Sequence, residues 1–551
     1  MTKYARSLAW VVVCAALALF VFESARFCSK SVYFVDDPFI SMRYAANLAE
    51  HGELSFNPGE RVEGYSNLLH VVLQALTFVV QGRVPGAVDA GDEGTCVVFG
   101  AAALELLVLA RLALRAGGHE VESASWYYAW ILTAASWPFA FWATAGLETP
   151  IEGLLYAAVL LWTTRLARDV RARSHVVCLA GLLVGVTLLR FEGVVVALAA
   201  TAALVVHLGR AGRARRAVAL AAGVVLPSAA YHVWRIAYFG HLMPNTFVAK
   251  ATGGSTLLRV VAGASYAGQW LAFACGLVGL VALAVAAHVG RDRIRTGLAR
   301  GLDDPTVVVA SAIVATKILL VVWGGGDWMP GWRMLLPVTP LALYLVFRAT
   351  FSLLALRVDL RVAGLPAVLL GLGLVVCGRP NQADFPERSA VAEDTGHLKK
   401  LPRGYLVMGD LLERGFGGGA GEVAVGEAGL IPFEARHVRF MDFFGLVDED
   451  MARQPGGMHH KVHVAHVLER APLAVVFAHL DVKPPYGPYQ YESELLPSPA
   501  FRARYRRVEL GDEMALLGWA LYLRRDVAPE QHGLAWSPED PLAERAAKAT
   551  R

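Results

Sequence analysis

Residues 66–81 read SNLLHVVLQALTFVVQ, a run apolar enough to enter a bilayer. Whether it crosses decides the topology of everything after it. Arginine clusters recur between the later apolar runs, at 111–115, RLARDVRAR (165–173), RAGRARR (210–216), RDRIR (291–295) and RVDLR (357–361). With the N-terminus cytoplasmic and 66–81 left out of the count, every one of these loops is cytoplasmic, as the positive-inside rule requires. Counting 66–81 as a crossing inverts them all. The segment therefore reads as a juxtamembrane or re-entrant helix on the outer side. Residues 39–50 read as another outer helix, with Ile40, Tyr44 and Leu48 on one face and Arg43, Asn47 and Glu50 on the other.

The composition agrees with a membrane chain. Of 551 residues, 56% are hydrophobic and 18% charged, which lies outside the range of soluble globular proteins. Candidate crossings fall near 8–24, 94–114, 125–143, 151–165, 176–189, 194–208, 217–237, 268–288, 306–323, 333–350 and 363–377, about eleven by hydropathy. The first follows MTKYAR without a convincing small-residue cleavage site and reads as an uncleaved anchor. An odd count puts the C-terminus outside. Residues 378–551 then form an extracytoplasmic domain in which β-like runs such as YLVMGD, EVAVGE, VRFMDFF and LAVVFA alternate with polar or helical stretches, the pattern of a mixed α/β fold. The net charge of +4 is spread thinly and points to no nucleic-acid partner. Six cysteines show neither metal spacing nor a disulfide framework.

This topology gathers the unusual residues on one face. DDPFISMR (36–43), GLETP (146–150), RFEG (190–193), HLMPNTFVAK (241–250) and GGGDWMPGWR (324–333) all fall at outer helix ends or in outer loops. Loops set on a rigid scaffold are where sites are commonly built. In order, the DD-containing loop, its NPGERVEGYSN continuation (57–67), GLETP, RFEG, PNTFVAK, GGDWMPGWR and the C-terminal GLVD (445–448) resemble the membrane arabinofuranosyltransferase family that adds terminal residues to cell-wall arabinan. That family lies within the GT-C superfamily of polyprenyl-phosphate-sugar glycosyltransferases. Some relatives sharing these motifs carry a flagellar motor control label. The resemblance implies a polytopic α-helical GT-C-like catalytic domain over 1–377 in the bacterial cytoplasmic (inner) membrane. It also implies a lipid-linked sugar donor, arabinofuranose above all, and a glycan acceptor on the outer face. A divalent cation, Mg or Mn, is the cofactor it leaves open. The rival readings are a transporter or flippase of a lipid-linked sugar, and a non-catalytic motility or envelope-assembly factor.

Each candidate residue also has a plainer role. Asp37 before Pro38 fits a helix cap, which would explain one acid and not Asp36 as well. Adjacent carboxylates raise each other's proton affinity and suit a general base; the sequence does not say which of the two it is. Glu148 could act as helix charge, worth about 0.3–1 kcal/mol, or help hold a donor or cation as in GT-C folds. Arg190 and Glu192 interrupt the apolar run 176–208 as a turn with an ion pair, or with Arg190 as a phosphate ligand and Glu192 as a substrate contact. Arg43, Lys250 and Arg333 are further outer cations, for donor phosphate or for lipid headgroups. Lys317 lies inside a crossing, at a cost of about 2.5–3.5 kcal/mol, and would pair with Glu105 or reach toward the donor phosphate. Asp327 and Trp328 suit a sugar, although tryptophan also belongs to the membrane belt. Asn245 fits a turn or a substrate contact. His459, His460, His463 and His466 fit a solvated helix face as well as a metal site.

Overall fold

The structure, a computed structural model, describes residues 3–31, 36–115, 120–251, 255–288, 301, 303–327, 329–353, 400–419, 421–457, 460–478, 490–511, 514 and 519–538. The expected crossing 363–377, the arginine loops 291–295 and 357–361, Trp328 and His459 lie outside the described residues.

In chain order the helices are α1 (Lys3–Ser31), α2 (Pro38–His51), α3 (Leu68–Gln81), α4 (Ala87–Arg115), α5 (Glu120–Ala134), α6 (Trp137–Trp142) and α7 (Thr149–Arg168). They continue with α8 (Arg173–Leu189), α9 (Gly193–Arg210), α10 (Ala214–Phe239), α11 (Asn245–Ala251), α12 (Thr256–His288), α13 (Pro305–Gly324), α14 (Thr339–Leu353), α15 (Lys400–Phe416) and α16 (Leu430–Glu434). Ala87–Leu114, Gly193–Arg210, Ala214–Phe239 and Pro305–Gly324 are long and apolar enough to cross a bilayer, with shorter apolar helices at Val11–Ala25, Leu68–Gln81, Arg173–Leu189 and Leu336–Ser352. The chain is a multi-pass membrane protein. With 14 residues, α3 is about 21 Å long against roughly 30 Å of hydrocarbon, too short to cross upright.

The chain divides into two compact units that cut across its linear order. One comprises Met1–Val32, Glu93–Trp234 and Ser255–Asp384; the other comprises Tyr33–Asp92, Arg235–Gly254 and Phe385–Arg551. The boundary expected from sequence at 377/378 groups the first outer loop with the membrane helices. In the structure 33–92 and 235–254 fall in one compact unit with 385–551.

In the first, helical unit, α7 packs on α8, α8 on α9, and α9 and α12 on α13. Trp126 on α5 stacks on Tyr344 of α14 with ring centroids 3.9 Å apart, and Trp270 Nε1 donates to Thr339 at 2.9 Å. The run expected as one crossing at 125–143 is two helices. α5 stops at Ala134, Ser136 is extended, and α6 begins with Pro138 in its first turn, because proline has no N–H for a preceding turn and its ring collides with that turn's carbonyl. The turn from α8 to α9 requires Gly193: a Cβ there would lie 2.1 Å from the Val186 carbonyl oxygen.

The second, mixed unit is built on a five-stranded sheet of β1 (Glu422–Val425), β2 (Arg439–Asp442), β3 (Ala474–Phe477), β4 (Tyr505–Arg507) and β5 (Ala520–Arg524). Its order is β2-β1-β3-β5-β4; β2, β1 and β3 run parallel, and β5 is antiparallel to β3 and β4. All four side chains of β3 are buried, as expected for parallel strands covered on both faces. α2 packs on α3 and on α16, and α15 packs on α16.

Candidate functional site

The helical unit contains a network of buried charge. The Arg190 guanidinium pairs with Glu148 and, at 2.8 Å, with Glu192. Lys317, 1% exposed, lies 2.7 Å from Glu152 and 3.7 Å from Glu192, and Tyr156 donates its hydroxyl to Glu152 at 2.6 Å. Burial disfavours the charge on Arg190, but Glu192, Glu148 and Glu152 more than offset it and hold its pKa above the ordinary value. Burial likewise would raise Glu192; Arg190 and Lys317 overcome this and lower it to about 2. Lys317 thus has a partner within its span, and that partner is Glu152 rather than Glu105. A phosphate approaching Arg190 or Lys317 would meet two cations already matched by three carboxylates. Glu152 and Tyr156 were missed by the sequence reading, although they lie four and eight residues beyond Glu148, on one face of α7.

In the same unit Arg333 Nε donates to Asp327 at 2.7 Å, and its guanidinium lies 5.7 Å from the Trp142 ring centroid. Trp142 in turn donates to the Pro330 carbonyl at 3.0 Å. Two residues expected at a substrate therefore form a pair that holds the 327–333 loop.

The mixed unit treats its two acids differently. Each oxygen of the Asp36 carboxylate accepts a backbone N–H: Oδ2 from Gly429 at 2.9 Å and Oδ1 from Leu430 at 2.7 Å. Burial pushes the Asp36 carboxyl up to about 7; the two N–H groups oppose this, and the neighbouring charges of Asp37 and Glu427 add to it. Asp37 occupies the cap position of α2 without acting as a cap. Its backbone is already helical (φ −51°, ψ −37°) and its side chain accepts no cap hydrogen bond, whereas a capping residue keeps an extended backbone. Among the described residues the half-buried Asp37 carboxylate has no hydrogen-bond or ion-pair partner.

Other motif residues of this unit hold backbone in place. Arg43, expected at a donor phosphate, is 1% exposed and donates to the carbonyls of Phe56 (2.8 Å), Pro432, Ala435 (3.2 Å), Arg436 (3.4 Å) and Val438 (2.8 Å). A fully buried guanidinium needs its five donors satisfied, and carbonyls do so without adding charge. Asn245 donates to the carbonyls of Gly445 (2.8 Å), Leu446 and Asp448, so it clamps GLVD. Asn57 makes a reciprocal pair with the backbone of Phe440. Lys250 is exposed and, among the described residues, has no partner.

Among the described residues, no group of three or more His, Cys, Asp or Glu could hold a metal ion, and Glu148 is bound by Arg190.

Residues 399–524, the stretch from α15 to β5, match a family described as "Domain of unknown function (DUF8728)". The chain is 28% identical over 356 residues to the terminal β-(1→2)-arabinofuranosyltransferase of Mycobacterium tuberculosis (strain ATCC 25618 / H37Rv), covering 60% of this chain. The match spans about half of that relative, 54% of its length. Among solved structures the chain is similar to ArnT from Cupriavidus metallidurans in the apo state (15% identity, TM-score 0.48, 86% of this chain and 93% of that one). It is also similar to the same protein bound to undecaprenyl phosphate (13%, 0.46, 85% and 93%). The likeness to a membrane arabinofuranosyltransferase, read from the motifs, is thus recovered by a comparison over most of the chain.

Proposed function

We propose that the protein is a glycosyltransferase that moves a sugar, arabinofuranose in the first instance, from a polyprenyl-phosphate donor to a cell-envelope glycan. The reaction takes place on the outer face of the bacterial cytoplasmic membrane. The observation that carries this reading is the unequal pair of acids in the first outer loop. Asp36 is held by two backbone N–H groups, whereas among the described residues no cap bond or ion pair engages the Asp37 carboxylate. A general base needs such a carboxylate, fixed in place and open to a proton. The likeness to an arabinofuranosyltransferase supplies the substrate class.

In the proposed step Asp37 takes the proton of an acceptor hydroxyl as that oxygen bonds to the anomeric carbon. The bond from that carbon to the donor phosphate breaks, and the polyprenyl phosphate leaves with the bonding pair, so no acid is needed. Lys250 is the cation assigned to the phosphate, since Arg43, Arg190, Lys317 and Arg333 are already engaged by acceptors within the fold.

Purified protein in liposomes, given labelled polyprenyl-phosphate arabinose and an arabinan oligosaccharide, should transfer pentose. Asp37→Asn should cut the rate at least a hundredfold, within the range of about 10²–10⁴ for a lost general base, with thermal unfolding unchanged. Undiminished transfer by Asp37→Asn would remove the base assignment. A wild type inert with every pentose and hexose donor would put a flippase or an assembly factor in its place.

A further inference from the structure

We infer that the C-terminal α/β domain, which matches a family of unknown function, belongs to the transfer machinery because it sets the position of the two acids; Asp36 is a positioning residue and Asp37 the group that reaches the acceptor. This rests on the glycosyltransferase reading.

The five-residue helix α16 follows β1 through the loop GEAG (426–429). A short helix leaves nearly all its N–H and C=O groups without partners of its own. Here both ends are served from the first outer loop. Asp36 takes the N–H groups at the start, from Gly429 and Leu430. Arg43 caps carbonyls at and beyond the end, from Pro432, Ala435, Arg436 and Val438. The acid sits at the positive end of the helix and the base at its negative end, the favourable arrangement for a peptide dipole. Between them the Phe39 and Phe433 rings lie 5.6 Å apart. α2 is therefore gripped at two points seven residues, or roughly 10 Å, apart. Asp37 lies between those points and follows wherever α16 goes.

The fit is close enough to restrict sequence. A Cβ on Gly429 would come within 2.1 Å of the Asp36 carbonyl oxygen and 2.5 Å of its carboxyl carbon, and one on Gly426 within 2.6 Å of the Tyr491 hydroxyl oxygen. Neither position accepts a side chain without displacing what it touches. β1 also lies between its parallel neighbours β2 and β3, so the loop leaves its carboxyl end where the connections pass to opposite sides. Open α/β sheets characteristically place ligands at that edge. In this chain the edge carries the Asp36 carboxylate.

The test uses full-length protein in liposomes with the donor and acceptor named above. Gly429→Ala displaces Asp36 by collision, and Leu430→Pro removes one N–H donor at a first-turn position where proline is favoured. Each should lower kcat at least tenfold while donor KM stays within twofold. Adding Leu430→Pro to Asp36→Ala should give no further loss, because Asp36→Ala already removes the contact that Leu430→Pro breaks. An activity-independent readout is a nitroxide attached through the substitution Asp37→Cys, after replacement of the six native cysteines. Its spectrum should show a slow, restrained label that becomes mobile in Gly429→Ala and Leu430→Pro. If both variants keep kcat within twofold and the label is equally mobile in all, the proposal is overturned. If the wild type transfers no sugar yet the label is released by the substitutions, the coupling stands and the glycosyltransferase reading falls. If the wild type transfers sugar and the label moves but kcat does not, the domain's catalytic role is refuted.

Discussion

The two units handle buried charge in opposite ways. In the helical unit Arg190 and Lys317 are balanced by Glu148, Glu152 and Glu192, charge against charge. In the mixed unit Arg43 and Asp36 are satisfied by uncharged backbone groups, four carbonyls of the 432–438 segment in one case and two N–H groups in the other. Ion pairs cancel, so the first arrangement leaves little charge for a ligand. Backbone groups solvate without cancelling, so the second leaves Asp37 beside an acid whose charge is not matched by a cation. A motif of charged residues thus does not indicate a site until its partners are known.

Three experiments would break or sharpen that contrast. Removing one member of the helical network should cost most. Lys317→Met leaves Glu152 without its ion-pair partner and Glu192 with Arg190 alone, and is expected to destabilise the protein by about 3–5 kcal/mol, while Lys317→Met combined with Glu152→Gln should recover part of the loss. Differential scanning fluorimetry of the detergent-solubilised protein measures both; a single variant as stable as wild type would show that the pair contributes nothing. Arg43→Met should come next, at about 3 kcal/mol, since several carbonyls lose their donor in a buried place at about 1–3 kcal/mol each, partly relieved by relaxation and water. Here no second substitution should rescue, because the acceptors are backbone.

The smallest effect, and the one most specific to the comparison, is a pH slope of opposite sign. Asp36 has a folded pKa of about 7, above its unfolded value of about 3.8, so the folded state binds the proton first. Its contribution to stability therefore falls as pH rises from about 4 to about 7 and is level above that. Glu192, lowered to about 2, contributes stability that is complete above its unfolded value of about 4.5 and is lost as pH falls toward 2. Mild acidification to pH 5 should raise the melting temperature of the mixed unit and leave the helical network untouched. Burial also raises Asp442 and Glu63 of the mixed unit to about 7, so they add to the same slope; Asp36→Asn should reduce the first slope in part and leave the second alone, and a slope unaltered by that substitution would exclude Asp36 as a source.

Much of the fold was legible in the sequence, because hydropathy is a local property. The segments read at 39–50 and 306–323 appear as Pro38–His51 and Pro305–Gly324. The break at Ser136 was hidden because WPFAFW continues the apolar run, and a hydropathy window does not register that Pro138 lacks an N–H. The charged residues were the least legible. Glu152 could have been found from its spacing along α7. The acceptors of Arg43 could not, since a backbone carbonyl has no signature in sequence. The same holds for Asp36, whose donors belong to residues chosen for being small or apolar.

The separation between these partners has a consequence for how the protein is made. Arg43 and Pro432 are 389 residues apart, so at roughly 5–20 residues per second a ribosome delivers the second about 20–80 seconds after the first. During that interval the Arg43 guanidinium has the Phe56 carbonyl but none of its acceptors at 432–438, and the Asp36 carboxylate has neither of its N–H donors. The acid loop is therefore organised last although it is translated among the first. A chain cut short before residue 429 would carry both aspartates and lack the N–H groups that hold Asp36 and the carbonyls of 432–438 that hold Arg43.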